Sequence, residues 1–302
     1  MKRLLFLFIC LFLVSCSKEA ETEEYTFLDD LGRRVALTSE DKVASCHASF
    51  ADCWLLAGGE LVGVTSDAVE EHGLDTGDAE IIGTAKTVNT EALLSSGATA
   101  VLLSADLTAH LELEDALESL GLECIYFKVD TFDDYARVME RLCSVTGRED
   151  LYQKNVAEVE EKISHTLSRI PEGDKRTVLL LRVYSSGIKA KSQDNIAGLI
   201  LKEYGMENIA DSHPSLLEDM SMEHIVATDP DLIFVLTMGN EETALRYLEA
   251  EIESNDAFGG LTAVKCGNYN ILHKELFHYK PNERWNESYE YLAKIIFPQI
   301  FG

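Results

Sequence analysis

A single helical stretch near the middle of the chain limits what this sequence can build. In residues 148–170 (REDLYQKNVAEVEEKISHTLSRI), Leu151, Val156, Val159, Ile163, Leu167 and Ile170 recur every three to five positions and form one apolar stripe. Such a helix is about 35 Å long, enough to join two lobes rather than sit inside one. Gly147 precedes it and Pro171-Glu-Gly-Asp ends it. Short apolar strands alternate with amphipathic helices on both sides. Before it, strands are expected at Leu61–Thr65, Glu80–Ile82, Thr99–Ser104 and Leu122–Phe127, and helices at Ser49–Ala57, Asn89–Ser96, Glu112–Leu120 and Phe132–Thr146. After it, strands are expected at Thr177–Val183, Asp231–Leu236 and Asn268–Leu272, and helices at Asp194–Tyr204, Ser221–Thr228, Glu241–Glu251 and Trp285–Phe297. This alternation implies an α/β fold of two lobes, each a mostly parallel sheet covered by helices. Thr26 to Leu37, which alternates around Asp30-Leu31-Gly32, predicts a hairpin ahead of the first lobe. All five prolines fall at or after Pro171, which supports a boundary near residue 170.

The N-terminus follows different rules. Lys2 and Arg3 precede an unbroken apolar run, Leu4 to Val14, and then Ser15-Cys16. That run is shorter than the roughly 20 residues a membrane-spanning helix needs, and its flanks are those of an export signal. The junction Leu13-Val14-Ser15-Cys16 resembles a bacterial lipobox, in which Cys16 becomes the diacylated first residue of the mature chain; two acyl chains anchor stably. Residues 1–15 are thus read as a signal peptide, 16–24 (rich in Glu) as a tether, 25–147 as the N-terminal lobe, 148–170 as the connecting helix and 171–302 as the C-terminal lobe. Location is expected to be extracytoplasmic, with the chain held to the membrane by lipid. The five cysteines other than Cys16 that remain after cleavage are too widely spaced for a disulfide framework.

A formal charge of −27, with no cluster of Lys or Arg, argues against a nucleic-acid partner. Enzyme signatures are missing as well: there is no GxSxG, GxxxxGK[ST], GxGxxG or HExxH, and no CxxC or tight His pair for zinc. No catalysis and no resident cofactor are expected. A weak internal echo does appear. Asn89-Thr90-Glu91 and Ser221-Met222-Glu223 each open a short amphipathic helix followed by a turn and a buried strand. Two such lobes suggest a ligand cleft between them.

Taken in order, the lipobox, DDLGRRVAL at 29–37, AGGELVGVT at 57–65, VNTEALLSSGATAVLL at 88–103, the long helix, MEHIVATDPDLIFVL at 222–236, LTAVKCGNYNIL at 261–272 and KPNERWNESYEYLAKIIFP at 280–298 resemble the substrate-binding lipoproteins of ABC importers. The resemblance is to the class whose lobes are bridged by one helix, which carries iron–siderophore complexes, haem, cobalamin or divalent metals. It implies a monomer that captures a metal chelate and docks on a permease and its ATPase. It also implies that Glu91 and Glu223 contact arginines of that permease. A Glu in the first turn of a helix stabilises it in any case, so the docking role rests on the resemblance.

Ligand contacts are expected at the carboxyl ends of strands. Those positions are Ser45, Cys46, His47, Ser66, Asp67, Lys86 and Ser104 in the first lobe, and Tyr184, Thr237 and the 273–280 loop in the second. Phe277, His278 and Tyr279 in that loop are suited to a macrocycle or catecholate, and equally to packing the final helix. His47 is either a metal or haem ligand or the entry residue of the helix that follows. The alternative cargo is a bare Zn or Mn ion, held by His47 and His278 with Asp67 or Glu275.

Overall fold

The computed structural model describes residues 24–213, 215–218, 222–250 and 254–302. The export segment, Cys16 and most of the tether therefore lie outside the described residues. An antiparallel hairpin, β1 (Tyr25–Leu28) with β2 (Arg34–Leu37), opens the chain as expected. Its turn passes through Gly32 at φ +79°, a conformation that glycine takes without strain. The first sheet contains β3 (Val43–Ser45), β4 (Leu61–Val64), β5 (Glu80–Ile81), β8 (Ala100–Ser104) and β9 (Glu123–Phe127), in the order β5-β4-β3-β8-β9 and parallel throughout. A small hairpin, β6 (Gly83–Thr84) with β7 (Thr87–Val88), lies between β5 and β8 in the chain.

The second sheet is built from β10 (Thr177–Tyr184), β11 (Gly187–Lys191), β13 (Leu232–Thr237) and β14 (Tyr269–Ile271), in the order β11-β10-β13-β14. A short β12 (Glu207–Asn208) pairs with the start of β10. The strands β10, β13 and β14 run parallel and match the expected ones to within a residue or two. The sequence reading does not anticipate β11, which folds back antiparallel on β10 across Ser185-Ser186. One further expectation is corrected. The helix expected at 112–120 forms over the shorter span Glu114–Ser119, and a separate, unexpected helical turn, Thr108–Leu111, precedes it.

Both sheets are covered on both faces, which explains why their central strands are apolar without alternation. In β8, Ala100 and Leu102 enter one core while Val101 and Leu103 enter another. In β13, Leu232, Phe234 and Leu236 face one core, and Ile233 and Val235 the other. The largest core takes residues from both sheets, together with helices Phe132–Thr146, Glu158–Ser168 and Trp285–Ile296. Helix Phe132–Thr146 forms at its predicted bounds because Thr131 and Asp134 make a capping box at its start and Gly147 adopts φ +68° at its end. From Glu149 to Ser168 the chain is helical throughout, with a π turn at Gln153–Ala157. Val156, Val159 and Ile163 are buried, and this segment packs against the final helix, Trp285–Ile296.

Candidate ligand-binding cleft

Asn282 links the two halves of the chain. Its Nδ2 donates to the Ser49 carbonyl at 3.0 Å and to Asp52 Oδ2 at 2.7 Å, both on the first helix of the first lobe. Beside it, Lys280 Nζ donates to the Val129 carbonyl and lies 3.8 Å from Asp130. The loop after β14 therefore carries its side chains across to the carboxyl ends of the first sheet, the position where open α/β sheets bind ligands.

His47 follows β3 and occupies the N-cap position of helix Ala48–Leu56, yet makes no capping bond. Its Nδ1 is buried without a hydrogen-bond partner. Burial, and then the charges of Lys280, His110 and His72, pull its pKa down to about 3, so the ring is neutral at physiological pH. It meets His110 edge-on at 6.5 Å. His110 is structural: its Nδ1 accepts the Ser104 N–H at 2.9 Å, which leaves Nε2 to donate to the Ala85 carbonyl at 2.8 Å. It thus ties the end of β8 to the β6–β7 turn.

Tyr279 reaches across to the first lobe. Its hydroxyl donates to Glu71 at 2.8 Å, and its ring lies 4.3 Å from that of His72 and 5.2 Å from that of His278. Burial pulls the His278 pKa down to about 4. On its other side, Lys274 Nζ sits 5.6 Å over the Tyr279 ring and donates to the Gly239 carbonyl at 2.7 Å. Two cavities adjoin Tyr279 and Glu71. One, of about 680 Å³, is lined by Asn240, Glu241, His273 and Lys274 among others. The other, of about 280 Å³, is bounded by Asp52, His72, Glu283 and Lys280 among others. A further cavity of about 690 Å³ lies between Tyr25 and the end of helix Phe132–Thr146, but none of its lining residues carries an unpartnered buried polar atom.

Unpartnered atoms do gather at the strand ends. Besides His47 Nδ1, they include Thr65 Oγ1 and Asp67 Oδ1 after β4, Arg182 Nε near the end of β10 and Thr237 Oγ1 at the end of β13. Buried polar groups are ordinarily hydrogen-bonded, so these atoms are candidates to receive a ligand's polar groups. The sequence reading missed Thr65, Glu71, His72 and Arg182. Only Arg182 carried a local signal, as the single charged residue in TVLLLRVY.

Of the residues expected at the cleft, Tyr279 borders both cavities, His278 packs beside its ring, His47 feels the charges of Lys280 and His72, and Ser66 opens the helix that carries Asp67. Two others are corrected. Cys46 is fully buried in an apolar core, and desolvation pushes its thiol up to about 12. Phe277 is also core, 5.7 Å from Tyr291. Lys86 is exposed in the β6–β7 turn and Tyr184 ends β10 opposite Gly187; like His47 and His278, they do not line the two cavities themselves. Among the described residues no group of three or more His, Cys, Asp or Glu is placed to hold a metal ion, so His47, His278, Asp67 and Glu275 do not form the ligand set of the alternative reading.

On the outer surface, Glu91 is exposed in the first turn of helix Thr90–Ser95, which Asn89 caps by accepting from the Glu91 and Ala92 N–H groups. Glu223 is likewise exposed in the first turn of helix Met222–Thr228; the expected cap, Ser221, lies outside the described residues. Three positions on, each helix presents an exposed aliphatic side chain, Leu94 or Val226. Among the described residues no helix is long and apolar enough to cross a membrane.

Residues 43–276 match the family described as periplasmic binding protein. A Bacillus subtilis (strain 168) protein named as a candidate ABC transporter substrate-binding lipoprotein, YhfQ, is 23% identical over 268 residues, covering 84% of this chain and 82% of its own length. Staphylococcus aureus SirA, solved with staphyloferrin B, superposes with a TM-score of 0.69 at 16% identity, covering 90% of this chain and 98% of SirA. The siderophore-binding protein BauB, solved with two molecules of acinetobactin and ferric iron, gives a TM-score of 0.72 at 15% identity, with 90% and 97% covered.

Proposed function

Because the chain belongs to the periplasmic binding protein family, we propose that it is the extracytoplasmic receptor of an ABC importer and holds an iron chelate between its two lobes. The observation that carries this reading is that buried polar atoms without partners stand at the carboxyl ends of strands in both sheets, where open α/β sheets take their ligands. The cargo bound by SirA and BauB supports a siderophore over haem or a corrinoid. A bare divalent metal is disfavoured because no three-ligand group is present among the described residues. In this reading residues 25–147 and 171–302 are the lobes and 148–170 connects them. Cys16 carries the lipid that keeps the receptor beside its permease, and the chain acts as a monomer.

The role requires binding and release rather than catalysis. His47, His278 and Tyr279 contact the cargo, and the lobes close over it. Glu91 and Glu223 present one carboxylate per lobe to basic residues of the permease, each beside an exposed aliphatic residue. A thermal-shift panel of ferric siderophores, haem, cobalamin, Zn²⁺ and Mn²⁺ tests the reading. A ligand at 100 times its dissociation constant adds about 2.7 kcal/mol to stability, which moves the midpoint by several degrees. A shift with a ferric siderophore supports the proposal, and a shift with Zn²⁺ or Mn²⁺ alone refutes it.

A further inference from the structure

Resting on the reading of the cleft as a chelate site, we infer that it selects by charge, taking neutral or cationic ferric chelates, of which a ferric trishydroxamate is the type, and rejecting polyanionic ones such as a ferric triscatecholate. The inference comes from which charges around the two cavities are already engaged. Three basic side chains line them, and each is occupied. Lys280 donates to the Val129 carbonyl and pairs with Asp130. Arg284 is held by Glu287 at 2.9 Å and lies 3.9 Å from Glu275. Lys274 is bound to the Gly239 carbonyl and lies over the Tyr279 ring.

The carboxylates are not balanced in the same way. Glu71 and Glu241 stand at the mouth of the larger cavity, with Asp52 and Glu283 on the smaller one, and none of these four makes an ion pair among the described residues. Asp67, with an unpartnered buried oxygen, adds a fifth carboxylate at the end of β4. Burial and the neighbouring charge of Asp52 push the Glu283 carboxyl up to about 7, and Asp52 is raised as well. His47 and His278, with pKa values pulled down to about 3 and about 4, supply no positive charge at neutral pH. Against Glu71, Glu241, Asp52 and Asp67, with Glu283 only partly ionised at neutral pH, the nearby cations that make no ion pair among the described residues are Lys274 and Arg182, whose Nε has no hydrogen-bond partner. A concave, low-dielectric site lined mainly by one sign of charge focuses its field on whatever enters. A complex carrying three negative charges meets that field unfavourably, whereas a neutral complex does not and an ammonium-bearing one is attracted.

The test uses the full-length chain in an uncharged detergent, titrated with a ferric trishydroxamate bearing a free ammonium group and with a ferric triscatecholate, at low and high salt. The expected result is at least roughly tenfold tighter binding of the trishydroxamate at low salt, narrowing as salt screens the cleft. The double variant Glu71→Gln with Glu241→Gln is expected to narrow the gap at low salt. Equal or tighter binding of the triscatecholate by the parent chain overturns the charge inference while leaving the chelate reading standing. Binding of neither chelate overturns both.

Discussion

Asn282 is a polar contact between the two halves of the chain whose loss is expected to weaken it strongly. It is 1% exposed, sits at φ +50°, and bonds to the backbone and side chain of a helix more than two hundred positions away. Replacing it with alanine removes a hydrogen bond to a carboxylate, worth about 1.5–3 kcal/mol, and one to a carbonyl, worth about 1 kcal/mol. Alanine also lacks the short polar side chain that lets asparagine tolerate the left-handed region, at about 1 kcal/mol. Half-buried Asp52 recovers some solvation, so we expect Asn282→Ala to cost about 4 kcal/mol in all. For a chain of this size that corresponds to a fall in Tm of roughly 10 °C. Asn282→Gly loses the same bonds without the backbone strain and is expected to fall about 1 kcal/mol less. Scanning calorimetry of the two variants separates these contributions. A loss below about 1 kcal/mol in both refutes the view that this residue holds the halves together, and equal losses refute the strain argument.

Other expectations are as follows. The Glu283 carboxyl binds its proton more tightly folded, at about 7, than the roughly 4.3 of an unfolded chain, so its contribution is full at acid pH and is lost as pH rises through 7. Glu283→Gln should therefore raise Tm relative to the parent at pH 8 but not at pH 4.5; an offset independent of pH contradicts this. His47→Ala and Tyr279→Phe should each weaken chelate binding by roughly tenfold in equilibrium titrations; unchanged affinity in both removes these residues from the pocket. Glu91→Ala with Glu223→Ala should keep chelate affinity yet abolish stimulation of the importer's ATPase in reconstituted vesicles, and surviving stimulation places docking elsewhere.

Much of the architecture was legible because it rests on local pattern. Strands such as LIFVLT and AVLLS are buried at every position and apolar up to their last residue, since helices cover both faces of each sheet, and the bounds of Phe132–Thr146 are written in Thr131, Asp134 and Gly147. The edge strand β11 was not, because GIKAK is half-exposed and gains its place only by pairing with β10. The cleft was legible in outline, as strand ends and the 273–280 loop. Its individual residues were harder to read, because adjacency along the chain does not fix facing. Cys46 and His47 are neighbours, yet one packs into the core and the other borders the cleft. Contacts such as Glu71 with Tyr279 and Asp52 with Asn282 join positions that no local periodicity relates.

The most direct test of the account is a calorimetric titration of the full-length chain with one chelate in its iron-loaded and iron-free forms, and with Zn²⁺ in the same buffer. A siderophore receptor takes up the iron-loaded chelate with one-to-one stoichiometry and binds Zn²⁺ at least roughly a hundredfold more weakly, a difference of about 2.7 kcal/mol. Saturable one-to-one binding of Zn²⁺, with no heat from any ferric chelate, would contradict it.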